Sequence, residues 1–382
     1  MIVLKKIISI LLALVIVVSM GTWASAEETA DEKSLTDFVD LEKIDMDAID
    51  TLVHKIMKKS KVPGMSMVIV NRSQNRYLNY GYADKDSKKK ATSDTYYELG
   101  SMSKAFTALG VLLLEDEGKL SLKDPVTKYL PWFQVYYKGV YEGKQINEMV
   151  ELTLENLLYH TSGIPFRTIG DIPQGLSDDM LEKTVQNLVG TQLDFYPNER
   201  YQYATINYDV LGLILQNVTG QSYEQFMQQH VLQPLGLNHT FLFHDDAKQN
   251  GMLAMGYKMT FFDVKAYDAP KYRGNTPAGY IISNANEMER WMRIQMGQIE
   301  VSEQLRRVIR KSHMGDTTVP SQGNYYYAGG WNVHIKGTEI QHAGSNPNYS
   351  SMILRCRRSP AGCSAAGCWW CKAPPARRRG GT

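Results

Sequence analysis

Residues 105–114, AFTALGVLLL, carry no charge. A helix that is apolar all round is stable only where other elements cover every face of it. The segment therefore predicts a buried helix over 104–116 at the centre of a sizeable core. Its entrance is at odds with its body, because Gly100-Ser101-Met102-Ser103-Lys104 places a lysine at the first turn. An ammonium there faces the positive end of the helix dipole and loses its water, and both effects favour the neutral amine. Ser101 and Lys104 are three residues apart, so they share one helical face. Gly100 permits close backbone approach, and the first-turn N–H groups have no partner inside the helix. A neutral amine beside a serine hydroxyl, with free N–H donors alongside, is the equipment of nucleophilic acyl transfer. The spacing alone is weak, because Ser-x-x-Lys arises by chance about once in a chain of this length. Ser87 and Lys90 repeat it inside the charged run KDSKKK, which reads as a solvated loop. Position at the head of a buried helix is what singles out Ser101.

Around that helix the pattern is mixed. Residues 65–70 and 77–82 read as a hairpin turning at 71–76. A helix is expected over 208–218, stopping at Thr219-Gly220, and another over 222–230. Near the end, two strands flank Lys336-Gly337, then a Gly/Asn/Pro loop leads into a further strand. Strands near both ends with helices between them predict one sheet built from both parts of the chain, with a mostly helical insert.

The first 26 residues stand apart. Lys5 and Lys6 precede IISILLALVIVVSM, and Ala24-Ser25-Ala26 supplies small residues at cleavage positions. This is the pattern of a signal peptide removed after Ala26, which implies a secreted or extracytoplasmic protein; an uncleaved N-terminal anchor is the alternative. The whole chain carries +2, yet residues 27–354 hold 33 Lys/Arg against 40 Asp/Glu, a net charge of −7. No basic surface for nucleic acid is expected. All four cysteines lie beyond residue 355, so the body is read as having no disulfide framework.

The block ELGSMSKAFTALGVLLLEDEGKLSLKDPVTKYLP resembles the active-site region of the serine β-lactamase and penicillin-binding-protein superfamily. It is most similar to the branch of class C β-lactamases, D-Ala-D-Ala peptidases and related esterases. LTLENLLYHTSGIP (152–165), the stretch 203–237, PAGYIISNANEMERWM (277–292) and HAGSNPNY (342–349) continue the likeness in order. The resemblance implies an α/β (α+β) β-lactamase-like fold over 27–354. In it a mixed antiparallel sheet (about 45–118 and 275–354) is flanked by helices, with a mostly helical subdomain inserted at about 119–274.

By the same resemblance Ser101 is the nucleophile and Lys104 its proton partner, and the N–H groups of Ser101 and Ser345 form the oxyanion hole. Tyr203 is the family's motif tyrosine, able to take a proton from Ser101 and later activate water; a buried structural tyrosine is the alternative. Thr205 stands where the family usually has Asn, and a hydroxyl cannot donate and accept through a planar amide; Asn207 is a weak substitute. The third motif reads His342-Ala343-Gly344 instead of Lys-Thr-Gly. His342 is a candidate to hold a substrate carboxylate or tune Tyr203, and Gly344 lets the strand lie near substrate. His160 reads as a loop-fixing residue, and its surroundings lack the ligands of a metal site. No metal or other cofactor is expected. The partners implied are a small peptide, an ester or a β-lactam, with peptidoglycan as the larger context. The alternative is a catalytically poor penicillin- or cell-wall-binding protein, or an inactive truncated gene product.

The tail departs from the family. After residue 354 an apolar strand and a closing helix are expected, and the chain instead reads CRRSPAGCSAAGCWWCKAPPARRRGGT over 356–382. Gly-Cys-Trp-Trp-Cys-Lys requires GGN-TGY-TGG-TGG-TGY-AAR. One base earlier the same bases encode Leu/Val/Met, Leu, Val, Val and Gln or stop. A frameshift near codon 355 is therefore expected, leaving an aberrant tail over 355–382 and an empty position in the middle of the sheet.

Overall fold

A computed structural model describes residue 41, residues 44–260 and 263–356, and the backbone of 365–371. The expected leader over 1–26 lies outside the described residues. The first helix, α1 (Met46–Ser60), starts at Asp45, whose carboxylate accepts from the Ala48 N–H at 2.8 Å, and stops at Lys61, which takes a left-handed conformation. The expected hairpin follows as β1 (Gly64–Val70) and β2 (Asn75–Asp84), with a short edge strand β3 (Lys89–Lys90). Lys90 is exposed there, and the Ser87 hydroxyl donates to Asp84. That Ser-x-x-Lys is surface structure.

The uncharged segment forms α2 (Ser103–Asp116), buried from Ser103 to Leu114. It is covered by α3 (Asn207–Thr219), by α4 (Ala285–Gln295) through Trp291, by α5 (Glu303–Ser312) and by the short helix Thr276–Gly279. Phe106 of α2 stacks on Trp291 of α4 at 4.1 Å between ring centroids, and Trp291 in turn lies parallel to Trp331. The helix α3 ends where expected, at Gly220, which adopts a left-handed φ of 69° that glycine takes without steric cost.

Five further strands complete the main sheet: β4 (Tyr325–Tyr327), β5 (Asn332–His334), β6 (Glu339–Ser345), β7 (Tyr349–Cys356) and β8 (Ala365–Cys371). The order is β4-β5-β6-β7-β8-β1-β2-β3, with every ladder antiparallel. The chain thus enters the sheet from both of its parts, as the sequence pattern predicts. The expected vacancy in its middle is not found. β8, from the tail, lies between β7 and β1, pairing Ser350 and Met65 with Trp370. Ladder bonds are made by the backbone, and unpaired N–H and C=O groups on β1 and β7 would be costly to bury. A proline-free stretch of seven residues satisfies both neighbours whatever its side chains.

The insert holds more strand than expected. Val135–Tyr141 and Lys144–Val150 form a hairpin around Glu142-Gly143, both with positive φ, and Val135–Tyr141 also pairs in parallel with Thr191–Gln192. The signal was present in the sequence as a two-residue turn ending in glycine between alternating segments.

Candidate active site

Ser101 sits in a single 3-10 turn, Gly100–Met102, that leads directly into α2. Gly100 has φ 54°, and a Cβ there would come within 2.5 Å of the Ser345 nitrogen. A Cβ on Gly344 would overlap the Leu99 carbonyl oxygen. The two glycines thus allow β6 to press its backbone against the turn that carries Ser101, bringing the Ser345 nitrogen close to Gly100. Gly344 serves that contact first, since the space a side chain would need belongs to Leu99.

Lys104 is fully buried on the same helix. Its Nζ lies 3.2 Å from Ser101 Oγ and donates to the Ala278 carbonyl at 2.7 Å. Desolvation pushes its pKa down to about 7, with the buried carboxylate of Asp209 pulling the other way. Asp209 accepts from Asn275 Nδ2 at 2.6 Å, and burial raises its pKa well above the ordinary carboxylate range. Burial therefore gives the amine a neutral fraction near neutral pH that an exposed lysine lacks, as the sequence pattern predicts for a lysine in this position.

Tyr203 lies with its ring 5.1 Å from Lys104 Nζ. Among the described residues its hydroxyl is buried without a direct hydrogen-bond partner, and Ser101 and Thr205 are close enough to ease its ionisation slightly. Desolvation is the dominant effect and drives its pKa far up. Thr205 is buried beside it. Asn207 is otherwise engaged: its Oδ1 accepts from Ser162 at 3.1 Å and its Nδ2 donates to His160 Nδ1 at 3.1 Å. The His160 backbone is left-handed, and its carbonyl accepts from the Gln202 N–H at 2.9 Å. His160 and Asn207 thus tie the 160–163 loop to the segment bearing Tyr203.

On β6, Ala343 and Ser345 are exposed and His342 and Gly344 point inward. His342 Nδ1 lies 2.9 Å from the Ala343 carbonyl, which can only accept, so Nδ1 carries the proton. Nε2 then accepts from Tyr327 Oη at 3.0 Å. Burial first, and the Lys104 charge second, push the His342 pKa down to about 3. With both ring nitrogens used and no charge at neutral pH, His342 is not a cation available to a substrate carboxylate.

With this geometry in place, comparison with known proteins is decisive. The Beta-lactamase family profile matches residues 49–363. The chain belongs to the β-lactamase family. Within it, the chain is 33% identical over 310 residues to Protein flp of Staphylococcus aureus strain MW2, covering 80% of this chain and 59% of that protein. It therefore spans well under two thirds of that relative. A Beta-lactamase of Pseudomonas fluorescens is 28% identical over 275 residues, covering 71% of this chain and 70% of the relative. The octameric penicillin-binding protein homologue from Pyrococcus abyssi superposes with a TM-score of 0.70 at 25% identity, over 87% of this chain and 75% of its own. These likenesses place the chain in the serine β-lactamase and penicillin-binding-protein superfamily and support a serine-hydrolase or penicillin-binding function.

Three groups near this β-lactamase-family site escaped the sequence reading. Tyr327 comes from the run Tyr325-Tyr326-Tyr327, whose spacing says nothing of which ring faces inward. The Ala278 carbonyl has no side-chain signal at all. Asp209 did have one, as the only charge in the helix NYDVLGLILQNVT, which is the reasoning that singled out Lys104. Asp209→Asn keeps an oxygen to accept from Asn275 and, since burial already favours the protonated carboxyl, removes little negative charge near Lys104. The pH midpoint assigned to Lys104 in the activity profile should therefore stay near 7. A clear fall of that midpoint would show that Asp209 is ionised in the folded protein.

Proposed function

We propose that this protein is an extracytoplasmic serine hydrolase in which Ser101 forms an acyl-enzyme and Lys104 takes its proton. The reading rests above all on the 3.2 Å approach of Lys104 Nζ to Ser101 Oγ, with an amine to which burial gives a neutral fraction near neutral pH. Tyr203, held firmly in its protonated form, is assigned as a donor: its hydroxyl hydrogen-bonds the reacting oxygen or leaving group. In acylation, Ser101 Oγ bonds to the carbonyl carbon, its proton passes to Lys104, and the carbonyl oxygen becomes an oxyanion. The N–H groups of Ser101 and Ser345 stabilise that oxyanion. Collapse breaks the bond to the leaving group, which departs with a proton returned through Lys104 or Tyr203. Water then attacks the ester with Lys104 again as base.

The substrate is an ester or a D-amino-acid or other peptide, with β-lactams as related acyl donors. The neutral, doubly bonded His342 favours substrates that do not depend on a cation at the third motif. A second reading is a penicillin-binding protein that acylates and releases slowly. It is favoured by the absence of an ionisable tyrosine base for the deacylating water. A chromogenic ester tests both readings. Steady turnover supports the hydrolase, and a stoichiometric burst followed by a stall supports the slow binder. A rate no higher than that of Ser101→Ala would overturn both.

A further inference from the structure

A cleft of about 650 Å3 opens between the helix Tyr223–Met227 with its continuation, the helix His244–Asn250 and the Arg273 side chain. None of Ser101, Lys104, Tyr203 or His342 lines it. Its size falls within the range of small-ligand pockets.

Two features of the lining point to a ligand class. The inner surface is apolar, from buried Leu242 and half-buried Phe241, while the outer surface carries the amides of Gln228, Gln229, Gln233 and Asn250. Three of the four charged side chains are matched to one another, and the fourth, exposed Asp246, adds a negative charge that disfavours anionic ligands. Arg273 Nε donates to Glu224 at 2.9 Å, Nη1 bonds Asp178, and the guanidinium lies 4.9 Å from the Phe243 ring centroid. Paired charges offer little attraction to an ion.

The backbone is also specialised here. Gln228–Leu232 is a π-helical turn, in which the Gln233 N–H donates to the Gln228 carbonyl at 3.0 Å. In an α-helix, residues five apart point about 140° away from each other. The wider π turn narrows that angle, and both glutamines line the cleft. Such turns occur frequently at functional sites. Among the described residues neither of these two amides is engaged by a protein partner.

We propose that this cleft is a binding subsite for a neutral saccharide, a short run of hexose or N-acetylhexosamine units. Each planar amide presents donors and an acceptor side by side, matching hydroxyls that both donate and accept. The Phe241 and Leu242 surface meets the C–H face of a sugar ring. Free oligosaccharides and the glycan chains of polymers share this chemistry.

Isothermal titration of the full chain with the tetramer of N-acetylglucosamine and with cellotetraose tests the proposal, and sedimentation with insoluble chitin separates the sources. Saturable binding of at least one tetramer, with a Kd of roughly 1 mM or tighter, is expected. Gln228→Ala with Gln233→Ala should weaken it at least about fivefold, while the melting temperature and ester turnover stay unchanged. Co-sedimentation with chitin supports a polymeric glycan as ligand, and binding of tetramer without it supports a free sugar. If the double variant melts early, Gln233→Ala alone replaces it, since that side chain is exposed. No saturable binding of either tetramer, or equal binding by the variant, overturns the proposal. Both results are independent of whether Ser101 turns over an ester.

Discussion

Ser101→Ala is expected to lower kcat/KM for a chromogenic ester by at least about 10³-fold. Removal of the nucleophile leaves only the oxyanion donors and the cleft. Lys104→Ala should cost a comparable amount, because the two groups act as a unit: without the amine 3.2 Å away, Ser101 Oγ has no base within reach. Tyr203→Phe should cost less, about 10- to 100-fold, since it removes a hydrogen bond and not the base. The order of the three variants is the informative result. Were Tyr203→Phe as damaging as Lys104→Ala, the assignment of the proton to Lys104 would be wrong. The wild-type profile should rise with pH through about 7, as burial sets the Lys104 pKa there and only the free amine can accept a proton. A flat profile between pH 6 and 8, with chemistry limiting, would contradict the same assignment.

The parts of this site that were legible in the sequence are those in which one residue conflicts with its local setting. A lysine heading an uncharged helix is such a conflict, and it led to Ser101, Lys104 and the burial of α2 together. The turn at Lys336-Gly337 was readable because turn chemistry is local. Tyr203 and His342 were located only through likeness to a family, and their states needed the fold. A histidine alone does not announce that a carbonyl one residue on will fix its Nδ1 proton, nor that Tyr327 will occupy Nε2. The pairing of the tail was hidden for a related reason. Its composition argued against a buried strand, yet the requirement that β1 and β7 be paired acts on the backbone, where composition is silent. Asp209 was legible on the same ground as Lys104, as the one charged residue in an otherwise apolar helix.

Lys104→Met should stabilise the fold while abolishing catalysis, by about 4 kcal/mol at pH 6 and by little or nothing at pH 10. The sign follows from proton linkage. The Lys104 pKa is about 7 in the folded protein and about 10.5 when exposed, so between those values the unfolded chain binds the extra proton. Stability therefore rises with pH across that window, and the folded state bears the full cost of a buried ammonium below pH 7. A shift of this size corresponds to about 5 kcal/mol. Loss of the bond to the Ala278 carbonyl returns about 1 kcal/mol of that gain. Asp209 acts in the opposite sense, since its raised pKa makes the folded state hold a proton that the unfolded chain releases. The difference between wild type and Lys104→Met, measured by urea unfolding at pH 6, 8 and 10, separates the lysine from this background. A gain that shrinks steadily with pH identifies Lys104 as a group held neutral for chemistry at a cost in stability. A variant less stable than wild type at pH 6 would mean that the ammonium is well accommodated, and the case for Lys104 as the base would fall with it.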